Sequence, residues 1–256
     1  KMVKVFYTFN QYSSSIENKI ISEVKKHKNI LWAARFYGPY DICICLLVNN
    51  LDDLISQLVK FDEKFSKEIN EKEIEIIHKQ FFFRYNFLHE KPQSKIYEVS
   101  SETNTISLNN IKKKILSAIR QNPRMNIIDI SRTTKLTPKT ISTNLKSLEK
   151  DKIIMGYFLT LDLQKFNLDT FKLLLQTQNL KSEQEFESYL KSLKNVRYIT
   201  KMLGLWDYEI DLACPSLAEL QEKIDQLKKQ FPNIIKKIAI VNFGKRLVTN
   251  KEKFLI

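Results

Sequence analysis

The chain is poor in the residues that small-site chemistry needs. Four glycines in 256 residues leave no glycine-rich loop to cradle a phosphate. Three histidines, His27, His78 and His89, and three cysteines, Cys43, Cys45 and Cys214, are too few and too scattered for a zinc site, which takes about four ligands. The odd cysteine count excludes a disulfide framework and fits a reducing compartment, so the cytoplasm is the expected location. Cys43 and Cys45, two apart on a strand pattern, share a face and read as small buried hydrophobes. No apolar run approaches the ~20 residues that span a bilayer, and no signal-peptide pattern is present. No Ser/His/Asp set or carboxylate pair stands out, so neither a catalytic residue nor a metal or cofactor is expected. Acidic residues are also in deficit, with 29 against 42 Lys and Arg, a net charge of +13. Such an excess favours a polyanionic partner. Hydrophobic residues at 43% are enough for packed cores rather than disorder.

What is present is a repeat. Gly38-Pro39-Tyr40-Asp41 precedes Gly204-Leu205-Trp206-Asp207 by an offset of 166. At the same offset Val5, Tyr7 and Phe9 fall on Phe171, Leu173 and Leu175. Ile20 and Val24 fall on Phe186 and Leu190, and Leu54, Leu58 and Phe61 on Leu220, Ile224 and Leu227. A long constant offset signals duplication. In copy one, residues 3–9 alternate as a strand, and Ser13-Ser14-Ser15 can cap a helix through Ile20 and Val24. Strands follow at Asn29–Tyr37 and Asp41–Val48, then a helix from Asp52 or Asp53, and a strand at Ile74–Tyr85. Copy two repeats the order from Phe171, with a capping-box signature at Ser182–Glu185 and a last strand at Ile234–Phe243. The fold class is therefore α+β, with two ferredoxin-like βαββαβ domains. Rings on both faces of Phe81-Phe82-Phe83 ask for a second sheet as cover, from the other copy or from a second chain.

Between the copies lies a basic segment. Residues 89–108 read as a polar linker. Residues 109–156 hold 11 Lys or Arg against Asp129, Glu149 and Asp151, a net of +8. Three helices fit, at Ile111–Arg120, at Asn126–Thr134 with Asn126 as cap, and from Thr137-Pro138, where Thr suits the cap and Pro the first turn. The last two make a helix-turn-helix, whose second helix lies in a DNA major groove. With Ile141, Leu145 and Leu148 inward, Lys139, Thr140, Ser142, Thr143 and Lys146 are left for bases or phosphates, and Thr137 opens the helix. Arg120, Arg124, Arg132 and Lys150 are placed to grip the backbone. Double-stranded DNA is the expected partner. The bland alternative is a three-helix module with a solvated basic face.

The run Ile130-Ser131, Leu136-Thr137, Thr140-Ile141, Leu145, Leu148-Glu149 and Ile153-Ile154-Met155-Gly156-Tyr157, with the two Gly-x-x-Asp hairpins, resembles the Lrp/AsnC family of feast/famine regulators. The resemblance covers residues 109–246 as one full unit, and residues 3–88 as a further RAM-like domain. It divides the chain into a RAM-like domain (1–88), a linker (89–108), a helix-turn-helix (109–156), a linking strand (157–168) and a second RAM-like domain (169–256). It implies a transcriptional regulator that forms homo-oligomers, dimers or higher, through sheet faces. It also implies an amino-acid effector bound beside Gly38, Tyr40 and Asp41 and beside Gly204, Trp206 and Asp207. There a glycine permits close approach and an acid can hold an ammonium group; the competing reading is that Gly makes the turn and Asp bonds local amides. Lys135 and Lys152 stand where the family has glycines, and Asn144 where it has a basic residue.

Two other functions compete. One is an effector-sensing or assembly module that does not bind DNA. The other is an enzyme like the sirohaem-decarboxylating branch of the same architecture, against which the lack of a paired His/Arg run argues. Lys1 stands directly before the first strand pattern, so missing upstream sequence is an expectation, and whether a second helix-turn-helix precedes Lys1 is a question for the genomic reading frame.

Overall fold

The computed structural model describes residues 1–249 except 28, 84, 89–95, 101–106, 158–159 and 179–181. The chain forms two compact units, one of residues 1–102 and 161–249, the other containing residues 103–160.

In the first unit copy one runs β1 (Met2–Phe9), α1 (Ser14–Lys26), β2 (Ile30–Tyr37), β3 (Ile42–Leu47), α2 (Leu51–Lys64) and β4 (Ile69–Phe82), followed by a short β5 (Tyr97–Ser100). The second unit holds α3 (Asn110–Gln121), α4 (Ile127–Thr134) and α5 (Pro138–Lys150). Copy two returns to the first unit with β6 (Asp169–Thr177), α6 (Glu183–Ser192), β7 (Val196–Leu203), β8 (Tyr208–Cys214), α7 (Leu217–Gln230) and β9 (Ile235–Thr249). Local chemistry sets several boundaries. Ser13 accepts from Ile16 N to start α1, and Asn50, rather than an aspartate, accepts from Asp53 N to start α2. The capping box at Ser182 does not form. Its side chain makes no cap bond, and Glu183 instead meets Lys201 and the Tyr208 hydroxyl.

The strands of both copies join one antiparallel sheet in the order β1-β3-β2-β9-β6-β8-β7-β4-β5, and β1 also pairs with β4. Eight strands thereby close on themselves, which removes open edges. The joints are the two long last strands. The first half of β4 pairs with β1 and its second half with β7. Likewise β9 pairs first with β6 and then with β2. This crossing explains why β9 continues to Thr249, beyond the expected end at Phe243; β4 begins at Ile69 and not Ile74 because its first half pairs with β1 of its own copy. Each crossing strand also completes the other copy's helix-side core. Phe81 and Phe83 pack with Phe186, Leu190 and Ile224, and Val248 packs with Ile20, Val24 and Leu58. Each such phenyl ring buried contributes about 2–3 kcal/mol. The two inner faces meet around Phe6, Phe36 and Leu174. The sheet faces that would have offered an oligomer interface are thus covered within the chain.

The ladder corrects the repeat by two residues. Val5 lies opposite Ile44 and Ile74, and Leu173 lies opposite Ile210 and Ile240. The later elements keep the offset of 166, but the first strand is displaced by 168, so Val5 answers to Leu173 and Lys4 to Lys172. A two-residue slip preserves inward/outward alternation, so the hydrophobic pattern cannot detect it.

Two connections also differ. Residues 97–100, expected as linker, form β5 against Lys79–Phe82. The expected linking strand Tyr157–Leu163 shows no strand among its described residues, and a 3-10 turn occupies Leu163–Phe166.

Candidate nucleic-acid interface

The second unit is held by Ile115, Leu116, Ile119, Ile130, Ile141 and Leu148, with Leu145 partly buried against them. Ile111 is among the exposed apolar residues. Asn126 accepts from Asp129 N at 2.9 Å and starts α4. The chain leaves α4 through Lys135 in the left-handed region, φ 60°. Ser131 spans the turn, donating its hydroxyl to Leu136 O at 2.5 Å. Lys152, after α5, is also left-handed at φ 56°. Both positions where glycine was missed therefore adopt the conformation that favours glycine, at about 1–2 kcal/mol each.

The α5 start explains which predicted groups remain available. Thr137 accepts from Thr140 N at 3.2 Å, and the two hydroxyls lie 2.8 Å apart, so both serve the cap. Pro138 fills the first helical position. Lys139, Thr143 and Lys146 follow at helical spacing on an exposed face, with Ser142 half-buried beside them. Arg124 is exposed as well. Arg132 is exposed but pairs with Asp129 at 3.3 Å. Asn144 turns its amide back to Thr140 O at 2.8 Å. Lys112 is drawn to the far end of α5, donating to Ser147 at 2.8 Å and Asp151 at 3.1 Å. Ser147 donates to Asp151 as well, at 3.0 Å, and the bonds from Lys112 and Ser147 hold the Asp151 carboxyl below its usual range. Spacing alone does not single out Lys112, because its partners sit 35 and 39 residues away.

The hairpin residues lie in the first unit. Asp41 Oδ2 accepts from Phe9 N at 2.9 Å, and Asp207 Oδ2 accepts from Thr177 N at 2.6 Å and Thr177 Oγ1 at 3.0 Å. Each acid thus ties the end of its copy's first strand to the hairpin. Each glycine permits close approach to the other copy's crossing strand. A Cβ on Gly38 (φ +122°) would lie 2.8 Å from Ile240 O, and one on Gly204 would lie 2.5 Å from Ile74 O. Tyr40 and Trp206 are 6% and 2% exposed and meet each other, with Trp206 Nε1 donating to Tyr40 Oη at 2.8 Å. Tyr40 in turn donates to Glu73. Glu75 Oε1 accepts from Leu205 N at 3.0 Å and Trp206 N at 3.2 Å. Burial, with Glu73 and Asp207 nearby, pushes the Glu75 carboxyl up to about 7 despite those two amides.

A buried ionic cluster lies between the sheets, which sequence reasoning missed. Lys4 donates to Glu209 at 2.7 Å, and Lys172 donates to Glu209 at 2.6 Å and Asp211 at 2.8 Å. Arg197 Nη1 stands 3.2 Å from Asp211 Oδ1, near enough to pair in charge although unaligned for a hydrogen bond. Burial disfavours the Glu209 carboxylate, but Lys172 and Lys4 outweigh it and hold its pKa at about 2. The alternation of Lys4 and Lys172 with apolar neighbours was the available signal. Among the described residues no His/Cys/Asp/Glu group could hold a metal ion, and no helix is long and apolar enough to cross a membrane. All three cysteines are free and buried.

A capped helix-turn-helix joined to an antiparallel sheet built twice from βαββα elements defines the class, and known proteins agree. Residues 108–155 match the winged helix-turn-helix DNA-binding family. The transcriptional regulator LrpC of Bacillus subtilis is 23% identical over 121 residues, covering 47% of this chain and 84% of LrpC. The structure of E. coli AsnC aligns with TM-score 0.50 and 17% identity over 57% of this chain and 97% of AsnC. The siroheme decarboxylase NirDL aligns with TM-score 0.62 over 97% of this chain and 72% of NirDL, at 7% identity, a likeness of fold alone. The chain is thus similar to Lrp/AsnC regulators in sequence over about half of its length, and in fold.

Proposed function

We propose that this chain is a DNA-binding transcriptional regulator. In it α4 and α5 dock a duplex, and the two ferredoxin-like copies, each lending its last strand to the other, form the scaffold. The observation that carries the reading is the outward face of α5. Lys139, Thr143 and Lys146 are exposed, on a segment with a net charge of +8. Lys and Thr on such a face neutralise phosphates or reach base edges, and Arg124 adds a backbone grip. Thr137 and Thr140 act by fixing the start of that helix, and Arg132 binds after leaving Asp129.

A mobility-shift titration against salt tests this. Each lysine that contacts a phosphate contributes about one unit to the slope of log K against log salt. Lys139→Ala with Lys146→Ala should weaken binding and flatten the slope by about 2. Unchanged affinity and slope would remove α5 from the interface.

The proposal does not extend to an amino acid at the hairpins, because Asp41 and Asp207 already bond strand amides and Tyr40 and Trp206 are buried on each other. A thermal-shift screen of the amino acids tests this directly, since a ligand selective for the folded state raises stability. The likeness to NirDL does not carry its chemistry here. Mixing the protein with sirohaem should leave the absorption spectrum of sirohaem unchanged.

A further inference from the structure

The contact between the copies is made of unlike halves. With the first strands aligned at 168 and the later elements at 166, each inner position has a counterpart. Lys4 and Lys172 are counterparts, so both copies put a lysine at the centre. The carboxylates that neutralise them, Glu209 and Asp211, come from copy two; copy one has Cys43 and Cys45 there. Burial pushes both thiols up, to about 12 for Cys45, so neither serves as a counter-ion. Glu75 of copy one accepts the Leu205 and Trp206 amides, and its counterpart in copy two is the apolar Val241. The hairpin counterpart of Leu205 is Pro39, which has no N–H. The counterparts Tyr40 and Trp206 meet as acceptor and donor, and Glu73, which takes a second contact from Trp206 Nε1 at 3.1 Å, has Ala239 as its counterpart.

We infer that the two copies are matched as unlike partners, so that the inner face of each accepts the other copy of its own chain and rejects a second copy of itself. Pairing copy one with itself would bury two central lysines against four thiols and set each Glu75 carboxylate against Pro39. Pairing copy two with itself would bring two indole N–H groups together with Ala239 in place of Glu73, and leave the Leu205 and Trp206 amides facing Val241 in place of Glu75. Buried donors and carboxylates left without partners are costly, so both like pairings are disfavoured. The inner sheet face of each copy is thus used up inside one chain, and its partner is the other repeat rather than another molecule.

Two measurements on the full chain test this. Lys79 and Lys201 lie opposite each other where β4 meets β7, so Lys79→Cys with Lys201→Cys can form a disulfide across the joint. Non-reducing gels should show the oxidised protein at single-chain mass. A dimer band dependent on both cysteines would mean that the copies pair between chains, and would overturn the inference. For the matching itself, Val241→Glu sets a carboxylate against Pro39 and should lower Tm. Adding Pro39→Leu restores the N–H that Leu205 supplies in the other hairpin, and should recover about 5 °C. If Val241→Glu leaves Tm unchanged, or if the double variant is no better than the single, the unlike match is refuted. Should Val241→Glu fail to fold, recovery of soluble protein on adding Pro39→Leu is the same readout.

Discussion

Removing Glu209 should be the most costly single change between the sheets. Its two carboxylate oxygens hold Lys4 at 2.7 Å and Lys172 at 2.6 Å, and both Lys4 and Glu209 are 3% exposed at the side chain. In Glu209→Ala, Lys172 keeps Asp211 at 2.8 Å, but Lys4 loses the one ion-pair partner it has among the described residues. Stranding one member of a buried pair costs about 3–5 kcal/mol. For a chain of this length each kcal/mol moves Tm by about 2–4 °C, so a fall of roughly 10 °C is expected. The measurement is calorimetry at pH 7, repeated in high salt, which should change the difference little because screening acts weakly on buried charge. The control is Lys4→Met with Glu209→Leu. Two apolar residues replacing a buried pair are commonly neutral or better, so the double variant should regain most of the loss. A fall below about 3 °C, or a double variant no more stable than Glu209→Ala, would refute this account of the cluster.

Acid titration of the wild type should show the same carboxylate. Glu209 is depressed to about 2 in the folded state, so its contribution is complete above the ordinary carboxylate value and is lost as pH falls from about 4.5 toward 2. Glu75 has the opposite sign. It is raised to about 7, so the folded protein binds the proton more tightly than the unfolded chain, and stability declines as pH rises from about 4.5 to 7. Glu75→Gln should remove that slope in pH-dependent urea melts; a slope that persists would assign it to another group. Gly204→Ala should cost several kcal/mol or prevent folding, because its Cβ would lie 2.5 Å from the Ile74 backbone oxygen, on a segment held by the β1–β4 ladder. A near-wild-type melting temperature for that variant would show that the two copies are not held so closely there.

Where one turn of chain carries the information, sequence was a good guide. Asn126, Thr137 and Ser13 cap the helices they were expected to cap, since an oxygen two or three residues before an unsatisfied N–H needs no tertiary help. Ser182 has the same local pattern and fails, because its backbone, at φ −108° and ψ 19°, is not in the extended conformation of the other caps. On α5, the apolar spacing separated the inner face from the outer one. It did not reveal that the Thr137 and Thr140 hydroxyls are engaged in the cap, or that Lys112 turns toward Ser147 and Asp151. Those depend on side-chain geometry and on the packing of one helix against another.

By itself, the sequence determined the element order, the repeated pattern, the basic helix-turn-helix and the likeness to Lrp/AsnC regulators, all of which rest on periodicity, composition and short-range chemistry. The tertiary structure decided what the duplication is for. The last strand of each copy crosses to the other, the Gly-x-x-Asp hairpins lock strand ends and admit those crossing strands, and Lys4 finds its carboxylate 205 residues away. Alternation records which face a residue occupies but not which strand lies opposite, so pairing between distant segments, and the charge match that selects it, appears only when both copies are folded together.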